Sequence, residues 1–181
     1  GELNYDLFEN GVTTFSSVLL RAAQEDTFST HMSDVFMHQL AIKCFPTLLA
    51  QDYKYTVLYI NGEYWGVYAF REAHSADSYA NHYGYDADTV TQYKEAWAAD
   101  SATAELFNFM RYNRVSDNDE NYAYISSHID VDSLIGWTII QAYCGNMDDN
   151  PPNFRMYYST QDDMSRYALV DLDLGLFKLS N

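Results

Sequence analysis

The sequence predicts an α+β domain in which a sheet-bearing first part is followed by a mainly helical second part. Two β-branched and aromatic runs, residues 54–60 and 63–70, flank Asn61-Gly62, the strongest hairpin signal in the chain. Both central residues of such a turn must take positive φ, which Asn and Gly tolerate. Residues 133–144 are apolar nearly all round and stop at Gly145, which predicts a buried helix with a glycine C-terminus. No repeat, heptad pattern or low-complexity linker interrupts the order strand, helix, hairpin, helices, loop, hairpin.

In chain order, residues 1–11 read as loop with a few anchoring apolar residues, and 15–20 as a strand closed by Arg21. Met32, Val35, Phe36, Leu40 and Cys44 recur at helical spacing, with Ser29 or Thr30 as cap and Pro46 beyond the end. After the hairpin, in which Gly66 suggests a close approach by another group, a helix falls around 76–83 and an acidic loop at 85–88. A longer amphipathic helix over about 94–112 carries Trp97, Leu106, Phe107 and Met110, and the polar cluster 116–120 breaks it. A short helix over 120–128 leads to Asp130 or Asp132, either of which can cap the buried helix. Residues 154–159 and 167–170 read as strands about a turn at 160–163.

At 181 residues, 48% hydrophobic and 17% aromatic, the chain can bury a real core. Ten Lys and Arg against 26 Asp and Glu leave a net charge of −16, a surface that repels nucleic acid and anionic membranes and favours cations. Cys44 and Cys144 are too far apart for a zinc or disulfide framework and read as small buried side chains. The five histidines lie without ligand spacing and read as surface or core residues. No run approaches the ~20 apolar residues of a membrane span, and residues 1–4 do not open a signal peptide. The chain begins without Met and stops just past its last acidic cluster, so it reads as a piece truncated at both ends.

Hard oxygen donors gather at the end of the buried helix. Asn146, Asp148, Asp149, Asn150 and Asn153 form one cluster, with Asp148 and Asn153 five residues apart, and Asp171 and Asp173 form another after the last strand. Carboxylates and amide oxygens of this kind hold a divalent metal and accept a proton. Asp and Asn beside Pro also build an ordinary solvated turn. An Asp base, an Asn five residues on, a hairpin and then a metal-binding Asp before Gly is the layout found in protein kinases.

The chain resembles the spore coat protein H (CotH) kinase family, an atypical branch of the protein-kinase-like fold. The resemblance runs from Val18-Leu19-Leu20-Arg21, with Asp26 behind it, through residues 57–68 and Arg71-Glu72 to Asn146-Met147-Asp148, Asn153 and residues 171–175. Its most specific block is Asn61-Gly62-Glu63-Tyr64-Trp65-Gly66-Val67-Tyr68. The resemblance implies a partial N-terminal lobe over 1–72 and a helical C-terminal lobe over 73–181, together one domain. It implies ATP as cofactor with Mg²⁺ or Mn²⁺, and a protein substrate with Ser or Thr hydroxyls. Asp148 would be the catalytic base, Asn153, Asp171 and Asp173 the metal ligands, and Glu72 a cofactor-binding residue at or near the adenine hinge. It also implies a secreted, cell-surface or spore-coat location.

The chain departs from a complete kinase pattern. Asn146 stands where the catalytic-loop His usually does, no Gly-rich loop precedes the first strand, and Lys43 and Lys54 lie in the wrong contexts to pair phosphates. Arg21 and Arg155 are the available cations, and the piece alone is expected to be an incomplete enzyme. Two other readings stay open: an inactive surface or spore-coat binding module, and a metal-dependent glycosyltransferase using Asp171 and Asp173, which predicts an open parallel sheet.

Overall fold

A computed structural model describes residues 1–24, 26, 30–94, 102–113, 118–146 and 153–176. Within them the chain is a mixed α/β structure of five α-helices and three antiparallel sheets. The first sheet is a two-residue pairing of β1 (Leu3–Asn4) with β2 (Thr14–Phe15), so the opening segment is pinned where loop was expected. The second has the order β3-β5-β4, from β3 (Val18–Arg21), β4 (Tyr53–Ile60) and β5 (Glu63–Glu72). Asn61 and Gly62 turn the hairpin with φ of 52° and 85°, as a tight two-residue turn demands. Gly66 is explained differently from the expectation: an added Cβ would meet nothing closer than Tyr68 at 3.8 Å, but φ is +119° beside a register shift at Leu58/Tyr59. Its role is to bend the strand at a bulge.

Helix α1 (Ser33–Cys44) is tied to this sheet by the bond from Arg71 of β5 to Asp34. The N-cap position is Met32, without a side-chain cap bond, rather than Thr30; Ser29 lies outside the described residues. Asp26 serves the helix entry from outside it, its carboxylate accepting the N–H groups of Thr30 at 3.0 Å and Ser33 at 2.8 Å. The buried face is Ser33, Asp34, Val35, Met37, His38 and Ala41; of the expected apolar stripe Val35 is buried but Met32, Phe36 and Cys44 are exposed, so the helix is rotated from that stripe. Helix α2 (Ala76–Tyr83) is capped by Ser75 and ends on Gly84 in the left-handed conformation.

Val90–Tyr93 forms a strand, β6, where the expected helix was to begin soon after. It pairs with β7 (Arg155–Ser159), which pairs with β8 (Met164–Ala168), so distant segments make one sheet. Helix α3 (Ala102–Tyr112) realises the later part of the expected long helix; Trp97 lies outside the described residues. Helix α4 (Asp119–Ser126) is capped by Asn118, and α5 (Val131–Cys144) by Asp130, which accepts the N–H of Ser133 at 2.9 Å. Although apolar all round, α5 is not buried all round: Ile135, Ile139 and Tyr143 are exposed at successive turns. Cys144 is buried but Cys44 is exposed, and both are free thiols.

One core joins α1 and α5 to the β6–β8 sheet through Met37, Ala41, Ile140, Cys144, Met156 and Leu172. The fully buried Met and Leu side chains contribute about 1.5–3 kcal/mol each, which holds α5 and the segment after β8 against α1. No described helix is long and apolar enough to cross a membrane.

Candidate active site

Strand β8 runs through the buried pair Leu169 and Val170 into Asp171. There the backbone turns left-handed, with φ of 51°, a conformation that Asp tolerates better than most residues. Gly175 closes the segment by packing: a Cβ there would lie 2.9 Å from the Leu172 carbonyl oxygen and 3.1 Å from Cβ of Cys144. The N–H of Leu176 donates to the carbonyl of Cys144 at 2.6 Å, and Asn146 Nδ2 lies 3.4 Å from the carbonyl of Asp171. The end of α5 and the acidic segment are thus fastened to each other.

Both acidic side chains turn toward one atom. Nη2 of Arg21, at the end of β3, donates to Oδ1 of Asp171 and, at 3.0 Å, to Oδ2 of Asp173. Behind them sits Asp34, in the first turn of α1. Its Oδ1 accepts the N–H of Leu172 at 2.8 Å, while its Oδ2 accepts from Nη1 of the buried Arg71 and lies 3.6 Å from Arg21 Nε. Burial alone would raise the pKa of Asp34, but the facing N–H of His38 and the charges of Arg71 and Arg21 outweigh it and hold the carboxyl well below its ordinary value of 3.8. Asp34 therefore stays ionised inside the fold.

His38 is fully buried on the same face of α1. Its Nδ1 accepts the N–H of Gln51 at 3.0 Å, which leaves the proton on Nε2, 3.5 Å from Asp34 Oδ1. Burial, reinforced by Arg71, lowers its pKa. The ring of His74 lies 6.4 Å away, and burial, reinforced by the charges of Arg71 and Arg155, holds its pKa well below the usual value. Two neutral imidazoles thus line the inner side of the charged cluster.

The predicted residues divide. Asp171 and Asp173 are brought together. Asn153 is half-buried two positions before β7, whose first residue, Arg155, senses the charge of Asp171. Asp148 lies outside the described residues. Glu72 is 2% exposed and turned inward: its carboxylate meets His82 Nε2 at 3.0 Å and Asn10 Nδ2 at 3.1 Å. Its N–H donates to Asp52 and its carbonyl accepts from Gln51. Glu72 is therefore a buried residue whose polar groups are already engaged. Asn10 and His82 also edge a cleft of about 330 Å³ between α1 and α2, which does not reach the acidic pair.

Asp34 and Arg71 were not singled out as site residues from sequence. A signal existed, since Asp34 and His38 stand one turn apart on the face that carries Met37 and Ala41. Charged and polar groups on a buried helix face need partners.

Among the described residues no three His, Cys, Asp or Glu side chains surround a metal-sized site. The arrangement still fits a small hard cation, because two carboxylate oxygens converge on the point that a guanidinium nitrogen takes. Mg²⁺ is commonly held by one or two carboxylates, with water and substrate phosphates completing its shell. No curated protein matches the chain. A family model described as CotH kinase protein matches residues 2–181, essentially the whole chain. The chain belongs to the CotH kinase protein family.

Proposed function

We propose that the chain forms the phosphoryl-transfer site of an atypical protein kinase, moving the γ-phosphate of ATP to a Ser or Thr hydroxyl of a protein substrate at a cell or spore surface. The observation that carries this reading is the convergence of Asp171 and Asp173 on one cationic atom. In this reading residues 1–72 are the nucleotide lobe and 73–181 the helical lobe of one kinase-like domain. Asp171 and Asp173 with the amide oxygen of Asn153 would hold Mg²⁺ or Mn²⁺, which when bound neutralises charge on the transferred phosphoryl group. Asp148 accepts the proton of the attacking hydroxyl. Glu72, held by His82, Asn10, Asp52 and Gln51, would lie at or near the hinge where adenine binds.

The glycosyltransferase reading asks for an open parallel sheet at the acidic pair, whereas the strands paired among the described residues are antiparallel. The test is incubation of the full-length protein with γ-labelled ATP and, separately, with labelled UDP-sugars. Labelled phosphate on protein is expected, falling by roughly 10²–10⁴-fold in Asp148→Ala. Retained transfer in that variant would remove Asp148 as base. Sugar transfer would establish the rival enzyme, and silence with both donors an inactive binding module.

A further inference from the structure

We infer that Arg21 is a built-in counter-ion for the acidic pair, released when a divalent cation enters and then available to the phosphate oxygens of a polyphosphate ligand. The inference rests on the reading of Asp171 and Asp173 as metal ligands.

Two carboxylates aimed at one point repel each other, and in a chain of net charge −16 the surroundings add to the repulsion. Arg21 relieves it by placing a single nitrogen against both. The two neighbouring arginines are differently placed. The Arg71 side chain is 1% exposed and fixed on Asp34, and Arg155 directs Nη1 at the Phe154 carbonyl at 2.7 Å. Arg21 is 19% exposed on an edge strand, so its guanidinium has a way out toward solvent.

It also has a second seat. Its Nε lies 3.6 Å from Asp34 Oδ2, so rotation of the fork away from Asp171 and Asp173 leaves the side chain near the site. Asp34 holds the N–H of Leu172, between the two carboxylates in sequence, and so keeps the pair aligned whichever cation it faces. The pair and Arg21 together form a cation-exchange site. A metal must displace the arginine, and a polyphosphate that accepts the displaced arginine makes that exchange easier. Metal and polyphosphate binding are therefore coupled through one side chain.

Mn²⁺ binding to the purified chain, followed by the paramagnetic resonance signal of free Mn²⁺, tests this without reference to catalysis. Arg21→Gln should bind Mn²⁺ about tenfold tighter than wild type, a coupling of ordinary size. Inorganic tripolyphosphate should tighten Mn²⁺ binding to wild type more than to Arg21→Gln. Arg21→Lys, which keeps the charge with a poorer fork, should fall between the two. Should Arg21→Gln fail to fold, Arg21→Lys carries the test, and an affinity no higher than wild type overturns the inference. Equal or weaker binding by folded Arg21→Gln, with binding abolished by Asp171→Asn, also overturns the counter-ion role and leaves the metal reading standing. Mn²⁺ affinity indifferent to both Asp171→Asn and Asp173→Asn overturns the metal reading and the inference with it.

Discussion

Oδ1 of Asp34 accepts the backbone N–H of Leu172 at 2.8 Å, although the two residues stand 138 positions apart. This bond ties the first turn of α1 to the acidic segment, and the other oxygen of the same carboxylate serves Arg71. Removing one partner of a buried charge pair strands the other, which typically costs about 3–5 kcal/mol. Asp34→Ala should lose stability in that range by urea unfolding, and Asp34→Asn less, since an amide oxygen can still accept from Leu172. A loss below about 1 kcal/mol in Asp34→Ala would mean that the cluster is not what joins these elements.

Acid should weaken the fold from near neutrality downward. His38 and His74 are buried and neutral, with pKa values depressed below the ordinary 6.5, chiefly by burial and further by Arg71, against the pull of Asp34. As pH falls through 6.5 the unfolded chain takes up two protons that the folded chain refuses. Stability is therefore level above that value and declines below it, by up to about 1.4 kcal/mol per pH unit for each ring, until the folded rings titrate. The Asp34 carboxylate adds a further loss at lower pH, as it too is protonated only in the unfolded chain near 3.8. Urea midpoints measured across this range check the slope. A wild-type profile that stays flat from neutrality to pH ~5 would show that the rings are not held neutral.

Gly175 tests the packing of the acidic segment on α5. Any Cβ there must push on the carbonyl of Leu172 or on Cys144, because the gaps are 2.9 and 3.1 Å. Gly175→Ala should cost about 1–3 kcal/mol and displace the backbone that presents Asp173. Thermal unfolding measures the first effect and Mn²⁺ affinity the second. A variant indistinguishable from wild type in both would contradict the tight contact.

Asp26 is the N-terminal clasp of α1, and its carboxylate is held below its ordinary pKa by N–H and hydroxyl donors from Thr30 and Ser33 despite the opposing effect of burial. Asp26→Ala should lose about 1–2 kcal/mol, the upper range for a cap. Asp26→Asn should recover part of it. Equal stability of Asp26→Ala and wild type, read by chemical unfolding, would assign the capping elsewhere.

Local chemistry is what made much of this chain legible from its residues. Asn61-Gly62 can turn a hairpin because of backbone freedom alone, Gly145 can end α5 for the same reason, and Asp130 caps α5 with a short polar side chain; each depends on near neighbours and each is found as expected. The acidic pair was legible too, as two carboxylates two positions apart just after the last strand.

Tertiary packing decided the rest, because burial and charge pairing are set by segments remote in sequence. The rotation of α1 that buries Asp34 and His38, the exposure of Ile135, Ile139 and Tyr143 on an apolar helix, and the pairing of β6 with β7 depend on what each element meets across the fold. The same holds for the partners of Glu72, His82 and Asn10, which its place in the sequence does not reveal. By itself the sequence determined the family, most of the helices and hairpins, and the presence of the acidic pair after the last strand. Only the folded structure decided which cation those carboxylates face, since the Coulomb interaction of Arg21 with Asp171 and Asp173 exists only once residues 150 and 152 positions apart are brought together.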